Sequence, residues 1–246
     1  RDASIPFSYL DNHQQPVGYS MDIAKAITEA VKKKLNQPSL AVKYRLITSQ
    51  NRISLVQNGT IDFECGSTTN NRERQTQVAF SNAIFEAGTR ILTRKNAGIR
   101  DFVDLAGKNV VTTGSTTAET ALKKMNAKVN FNLLTAKDHG ESFMLLESGR
   151  AAAFVLDDVL LYGELAKAKT PSDWVVTGKA QSFEVYGCML RKNDPAFKQV
   201  VDGALVSLYK SGEIQKIYQK WFMQPIPPKG INLNFPMSDE FKELIS

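Results

Sequence analysis

The chain has 246 residues, 42% of them hydrophobic, and a formal charge of +6, enough for one large or two small domains with a buried core. Its 31 Lys and Arg residues are spread along the sequence with no basic block interleaved with aromatics, which argues against nucleic acid as a partner. No apolar run approaches the roughly 20 residues of a membrane-spanning helix, and only Cys65 and Cys188 are present, with no His spacing to complete a zinc site.

The chain begins at Arg1 with neither a starting Met nor a signal-type apolar segment, and is expected to be a mature or trimmed product. Pro6-Phe7-Ser8-Tyr9 leads through a polar turn to Gly18-Tyr19-Ser20. Ile23, Ile27, Ala30 and Val31 then recur at helical spacing, with Ser20 as the expected N-cap. Residues 36–38 end that helix, residues 42–46 alternate as a half-buried strand should, and residues 49–56 read as a short helix closed by Asn58-Gly59.

A strand over residues 61–65 runs into Gly66-Ser67-Thr68-Thr69-Asn70-Asn71-Arg72-Glu73-Arg74. Helix, strand, helix, strand is the order of a parallel sheet with helices packed on it, and it implies a first strand ahead of Arg1. Ligands commonly bind at the carboxyl ends of such strands. An arginine fork with Ser and Thr hydroxyls suits a carboxylate; the same residues also read as a polar surface loop.

The pattern restarts near residue 88. Residues 90–94 form a strand, Asp101 to Lys108 a short helical turn, and residues 109–113 a strand. Gly114-Ser115-Thr116-Thr117 then opens a helix over residues 118–125. That junction is either an anion-binding helix start or a plain Ser/Thr cap. Residues 130–134 are a further strand, and Ala136-Lys137-Asp138-His139-Gly140 leads a helix ending near Gly149. Phe154-Val155-Leu156 runs straight into Asp157-Asp158, where one acid can hold an ammonium group and the other cap the next helix. Residues 182–190 read as a return crossing. The remainder is helical, with apolar stripes on Val201, Leu205 and Leu208 and on Ile214, Tyr218, Trp221 and Phe222 that belong to a core. A weak terminal helix is expected near residues 238–245. Cys65 and Cys188 each fall on an apparent strand, so a disulfide between neighbouring strands and two buried free thiols both stay open.

Two half-chains that each alternate strands with helices imply two lobes with a cleft, and two crossings near residues 88 and 185 permit hinge bending. Dinucleotide, P-loop, nucleophile-elbow and HExxH signatures are lacking, so no cofactor is expected.

Taken together, Gly66-Ser67-Thr68-Thr69 with Arg74-Gln75, Asp104-Leu105-Ala106-Gly107-Lys108, Gly114-Ser115-Thr116-Thr117, Gly149-Arg150 ahead of Asp157, and residues 187–192 resemble the polar amino-acid periplasmic binding proteins of ABC importers. Ser49-Gln50-Asn51-Arg52 and Ala136-Lys137-Asp138-His139-Gly140 are most similar to its acidic-amino-acid branch. The resemblance implies an α/β fold of the type II periplasmic binding protein class, two lobes joined by two hinge strands. Lobe 1 would comprise residues 1–88 and 186–246, and lobe 2 residues 89–185. It also implies a monomer in the periplasm that closes on L-glutamate or L-aspartate and delivers it to a membrane permease.

Carried over by motif, Arg74, Thr69 and Thr117 would hold the α-carboxylate, and Ser67 and Asp157 the α-ammonium. Arg1, Ser49, Arg52 and His139 would meet the side-chain carboxylate, with Ser115 and Thr116 as backbone donors only. Three arginines against one aspartate leave a positive surplus that suits such a ligand. Two other readings compete. An enzyme on this scaffold, such as a cyclohexadienyl dehydratase, would use Asp157 as a general acid; the ligand-binding core of a receptor or sensor would bind without import.

Overall fold

A computed structural model describes residue 1 and residues 3–246. Three short strands, β1 (Ala3–Ser4), β2 (Ser8–Leu10) and β3 (Pro16–Val17), precede helix α1 (Tyr19–Leu35). Then come α2 (Arg52–Gln57), β4 (Phe63–Glu64), α3 (Arg72–Gln75), β5 (Ala79–Ala87) and β6 (Thr89–Arg94). The middle of the chain alternates strictly: β7 (Asn109–Thr113), α4 (Thr117–Met125), β8 (Asn132–Ala136), α5 (His139–Glu147), β9 (Ala153–Asp157), α6 (Asp158–Leu165) and β10 (Trp174–Thr177). Strand β11 (Glu184–Leu190) is followed by α7 (Pro195–Ser211), α8 (Glu213–Phe222), the hairpin β12 (Pro225–Ile226) and β13 (Ile231–Asn232), and α9 (Asp239–Leu244). Among the described residues no helix is long and apolar enough to cross a membrane.

The chain divides into two compact units. The first comprises Arg1–Ile47, Asn51–Glu86 and Val185–Ser246; the second comprises Thr48–Gln50 and Ala87–Glu184.

An aromatic cluster fills the first unit. Phe7 meets Phe85 edge-on at 4.9 Å between ring centroids, Phe85 stacks on Phe222 at 5.0 Å, and Phe222 stacks on Tyr218 at 4.4 Å. Such pairs add roughly 0.5–1.5 kcal/mol each beyond the area they bury. Tyr19 joins the cluster with its hydroxyl satisfied by the Ile84 carbonyl at 2.6 Å. Helix α1 starts two residues earlier than the pattern suggests, because Gly18 takes φ 134° and serves as the cap. A Cβ at that position would stand 2.3 Å from the Phe7 carbonyl oxygen, so only glycine fits. Ser20 is therefore not the N-cap; it lies inside the first turn and its hydroxyl donates to the Gly66 carbonyl at 2.8 Å.

One sheet of this unit has the order β4-β11-β5, and β4 runs antiparallel to β11, with Glu64 opposite Met189. The expectation of a parallel sheet in this half is corrected here. Residues 42–46, expected as a half-buried strand, join no ladder among the described residues. Val42, Tyr44 and Leu46 are all exposed, because alternation reports a preference for pairing and a strand still needs a neighbour.

The second unit holds a five-stranded sheet, β10-β6-β9-β7-β8. Strand β7 is parallel to β8 and β9, and β6 is antiparallel to β9 and β10. All five residues of central β9 are buried, which explains why it reads as a continuous apolar run. Ile91, Val110, Val155, Phe102 and Leu122 form one core cluster on this sheet.

Candidate functional site

In the first unit the polar loop after β4 is stitched to β11. The β4–β11 register pairs residue 64 with 189, and one residue further on Cys65 and Cys188 are joined by a disulfide with Cα atoms 4.3 Å apart. The next bridge pairs Thr69 with Tyr186. Four residues on one strand thus oppose two on the other, and the excess bulges out at Gly66, Ser67 and Thr68. Backbone bonds from Gly187 to the Thr68 carbonyl and from Asn70 to the Val185 carbonyl hold both sides of the bulge.

Onto this rigid loop two buried arginines converge. Arg74 is 9% exposed and donates from Nη1 to the Thr69 carbonyl at 2.9 Å. Its helix turn begins at Asn71, whose side chain accepts from the Arg74 amide. Arg52 opens α2, is 2% exposed, and donates from Nη1 to Thr68 Oγ1 at 2.8 Å and to the Ser67 carbonyl at 3.3 Å. Such burial excludes a solvated helix-surface role for Arg52. Ser67 Oγ lies 2.6 Å from Ser4 Oγ. Arg1 is half-buried; its α-amino group donates to Ser8 Oγ at 3.0 Å.

A carboxylate that the sequence motifs do not single out stands among them. Glu64 is buried and accepts from Thr68 Oγ1 at 2.9 and 3.0 Å. In the sequence it alternates with Phe63 and Cys65 as Asp62 does, so it reads as part of the solvent-facing side of that strand. Among the described residues the buried charges of this unit are Arg52, Arg74 and Glu64, a surplus of one guanidinium.

In the second unit the candidate groups lie at the ends of parallel strands. Thr116 caps α4: its hydroxyl accepts from the Glu119 amide at 3.2 Å and donates to the Thr113 carbonyl at 2.7 Å. Thr117, the first helical residue, donates from Oγ1 to Glu184 Oε1 at 2.8 Å. His139 opens α5, is 2% exposed, and places Nδ1 2.7 Å from Thr113 Oγ1, which also lies 2.9 Å from Ser142 Oγ.

Asp157 ends β9, is 5% exposed, and makes no side-chain cap bond to α6. Asp158 does the capping work, accepting from the amides of Val159 at 2.8 Å and Gly88 at 3.3 Å. Burial pushes the Asp158 carboxyl above its ordinary pKa, and those amides pull it back. The short piece Thr48–Gln50 carries Ser49, whose hydroxyl is buried with no hydrogen-bond partner among the described residues. A buried hydroxyl left in that state is suited to a ligand contact. Among the described residues no group of three or more His, Cys, Asp or Glu is placed to hold a metal ion.

The first unit thus carries guanidinium and hydroxyl donors, and the second carries buried carboxylates, Asp157 among them, with Thr and His. Residues 1–224 match the family of bacterial extracellular solute-binding proteins, family 3. The chain is 66% identical to the L-glutamate/L-aspartate-binding protein of Pseudomonas aeruginosa, in an alignment covering 100% of this chain and 82% of that protein. It is 59% identical to the glutamate/aspartate import solute-binding protein of Escherichia coli K12, over 99% of this chain and 82% of that one. Among solved structures, an ancestral arginine-binding protein bound to glutamine superposes with a TM-score of 0.81 at 31% identity, covering 90% of this chain and 95% of that chain.

Proposed function

Because this chain belongs to the bacterial extracellular solute-binding proteins of family 3, we propose that it captures L-glutamate or L-aspartate in the periplasm and delivers it to the membrane permease of an ABC importer. It acts as a monomer and binds by closure of its two lobes, residues 1–88 with 186–246 and residues 89–185. Both relatives named above are binding proteins, and the one from Escherichia coli is an import protein, so the dehydratase-like reading is set aside, and the receptor core has no observation in its favour.

The observation that carries the acidic ligand is the burial of two guanidinium groups against one carboxylate among the described residues of the first unit. A ligand with two carboxylates and one ammonium carries the net negative charge that suits these guanidinium groups. In this reading Arg74 with Thr69 and Thr117 holds the α-carboxylate, and Asp157 with Ser67 holds the α-ammonium. Arg52, Arg1, Ser49 and His139 receive the side-chain carboxylate. Contacts to the ligand favour the closed state only by the amount they are missing in the open one.

Calorimetry with a panel of L-amino acids on refolded, ligand-stripped protein tests the reading. Glutamate and aspartate bind tightest, and glutamine binds several hundredfold more weakly, the equivalent of about 3–4 kcal/mol for a buried guanidinium left without its anion. Tightest binding of glutamine, histidine or arginine would defeat it. A single species at about 27 kDa in light scattering checks the monomer.

A further inference from the structure

Glu64 is held from three sides. Its backbone pairs with Met189 on β11, and its carboxylate accepts from Thr68 Oγ1 at 2.9 and 3.0 Å. Gly66 leaves its side chain room: a Cβ at position 66 would stand 2.8 Å from Glu64 Oε1. Thr68 has one hydroxyl proton, and the carboxylate, which has no proton to give, takes it. The lone pairs of that oxygen then face a donor, and Arg52 Nη1 fills the place at 2.8 Å. Thr68 is fully buried, as are both residues that it joins. One hydroxyl therefore couples a buried carboxylate to a buried guanidinium, with each donor and acceptor used in the only sense available to it.

We propose that Glu64, acting through Thr68, is the positioning residue that fixes the Arg52 guanidinium in the orientation that receives the side-chain carboxylate of the ligand, and so sets the preference for an acid over its amide. The proposal rests on the ligand reading given above. A guanidinium reads a carboxylate through the direction of its planar fork, so the bond from Nη1 to Thr68 Oγ1 bears on what Arg52 recognises. The same nitrogen, Nη1, also donates to the Ser67 carbonyl at 3.3 Å.

The experiment is calorimetric titration of L-glutamate and L-glutamine into the ligand-stripped chain and into Thr68→Val, Thr68→Ser and Glu64→Gln variants, with thermal melts to confirm folding. Thr68→Val keeps the shape and removes the relay. It is expected to cut the glutamate-to-glutamine affinity ratio tenfold or more, chiefly by weakening glutamate. Thr68→Ser restores the hydroxyl and keeps the ratio within about threefold of the parent, which a role in packing alone would not explain. Glu64→Gln lowers the ratio as Thr68→Val does. If Thr68→Val or Glu64→Gln folds and keeps the parental ratio, the relay is overturned; if Thr68→Val does not fold, the ratio in Glu64→Gln decides in the same way. A parent chain without the preference for glutamate overturns the ligand reading, and the relay with it.

Discussion

The Nδ1 atom of His139 stands 2.7 Å from the hydroxyl oxygen of Thr113, at the point where β7 ends and α5 begins. Thr113 is itself tied to Ser142 Oγ on the first turn of α5, so imidazole orientation and helix start are set together. In either tautomer one of the two atoms donates and the other accepts, so the ring is held from this side. A Thr113→Val variant removes that constraint. It is expected to weaken glutamate binding roughly tenfold, in line with the loss of one hydrogen bond to a buried group, while thermal unfolding stays within a few degrees. Calorimetry beside a melting curve checks both halves.

The two buried arginines are expected to fail differently. Arg74→Ala removes the group assigned to the α-carboxylate, which every amino acid carries, so glutamate and glutamine weaken together by on the order of a hundredfold. Arg52→Ala removes the group assigned to the side chain. Glutamate weakens by a similar factor, glutamine by much less, and the ratio between them collapses. Equal losses for both ligands in Arg52→Ala would show the assignment to be wrong.

Asp157 and Asp158 are adjacent in sequence and separate in role. Asp158→Ala loses the caps on Val159 and Gly88 and is expected to cost about 1 kcal/mol of stability, with ligand affinity within threefold of the parent. Asp157→Asn is expected to do the reverse, abolishing most amino-acid affinity with little change in melting. Chemical denaturation and calorimetry on the same two variants separate the effects.

Glu164 sits in the last turn of α6, is 1% exposed, and meets Lys167 Nζ at 3.0 Å. Burial pushes its carboxyl up to about 7; Lys167 opposes the shift and Asp138 adds to it. In the unfolded chain the same group ionises near 4.5, so between these values the folded form keeps a proton that the unfolded form has released. Stability from this group is complete below about pH 4.5 and is lost as pH rises through about 7, a change of up to about 3 kcal/mol. A Glu164→Gln variant should therefore melt with the parent near pH 4.5 and several degrees above it near pH 7.5. A gap that does not widen with pH would contradict this origin.

How far the sequence reaches depends on whether the answer is local. The βαβ alternation of residues 109–157 marks strands and helices to within a residue or two, because each strand there is flanked by its own cap and turn. Residues 42–46 carry the same kind of pattern and no ladder forms on them, since pairing is decided elsewhere in the chain. Glu64 reads in sequence as one member of a strand; its importance appears only when the loop bulges back over it. The roles of Asp157 and Asp158 stay open for a similar reason, since only the backbone geometry at the end of β9 decides which carboxylate turns toward the amides. The pairing of Cys65 with Cys188 likewise needs the register of β4 on β11.

That crosslink spans 123 positions and makes a covalent ring of everything from Gly66 to Gly187, the whole of Ala87–Glu184 included. By the chain-entropy estimate, closing a ring of this size removes about 5 kcal/mol of freedom from the denatured ensemble. It also means that a protease cutting any peptide bond inside the ring produces a nicked molecule of unchanged mass apart from one added water. The two fragments part on a denaturing gel only when a thiol is added, so a digest run with and without reductant reports which strand ends are fastened together.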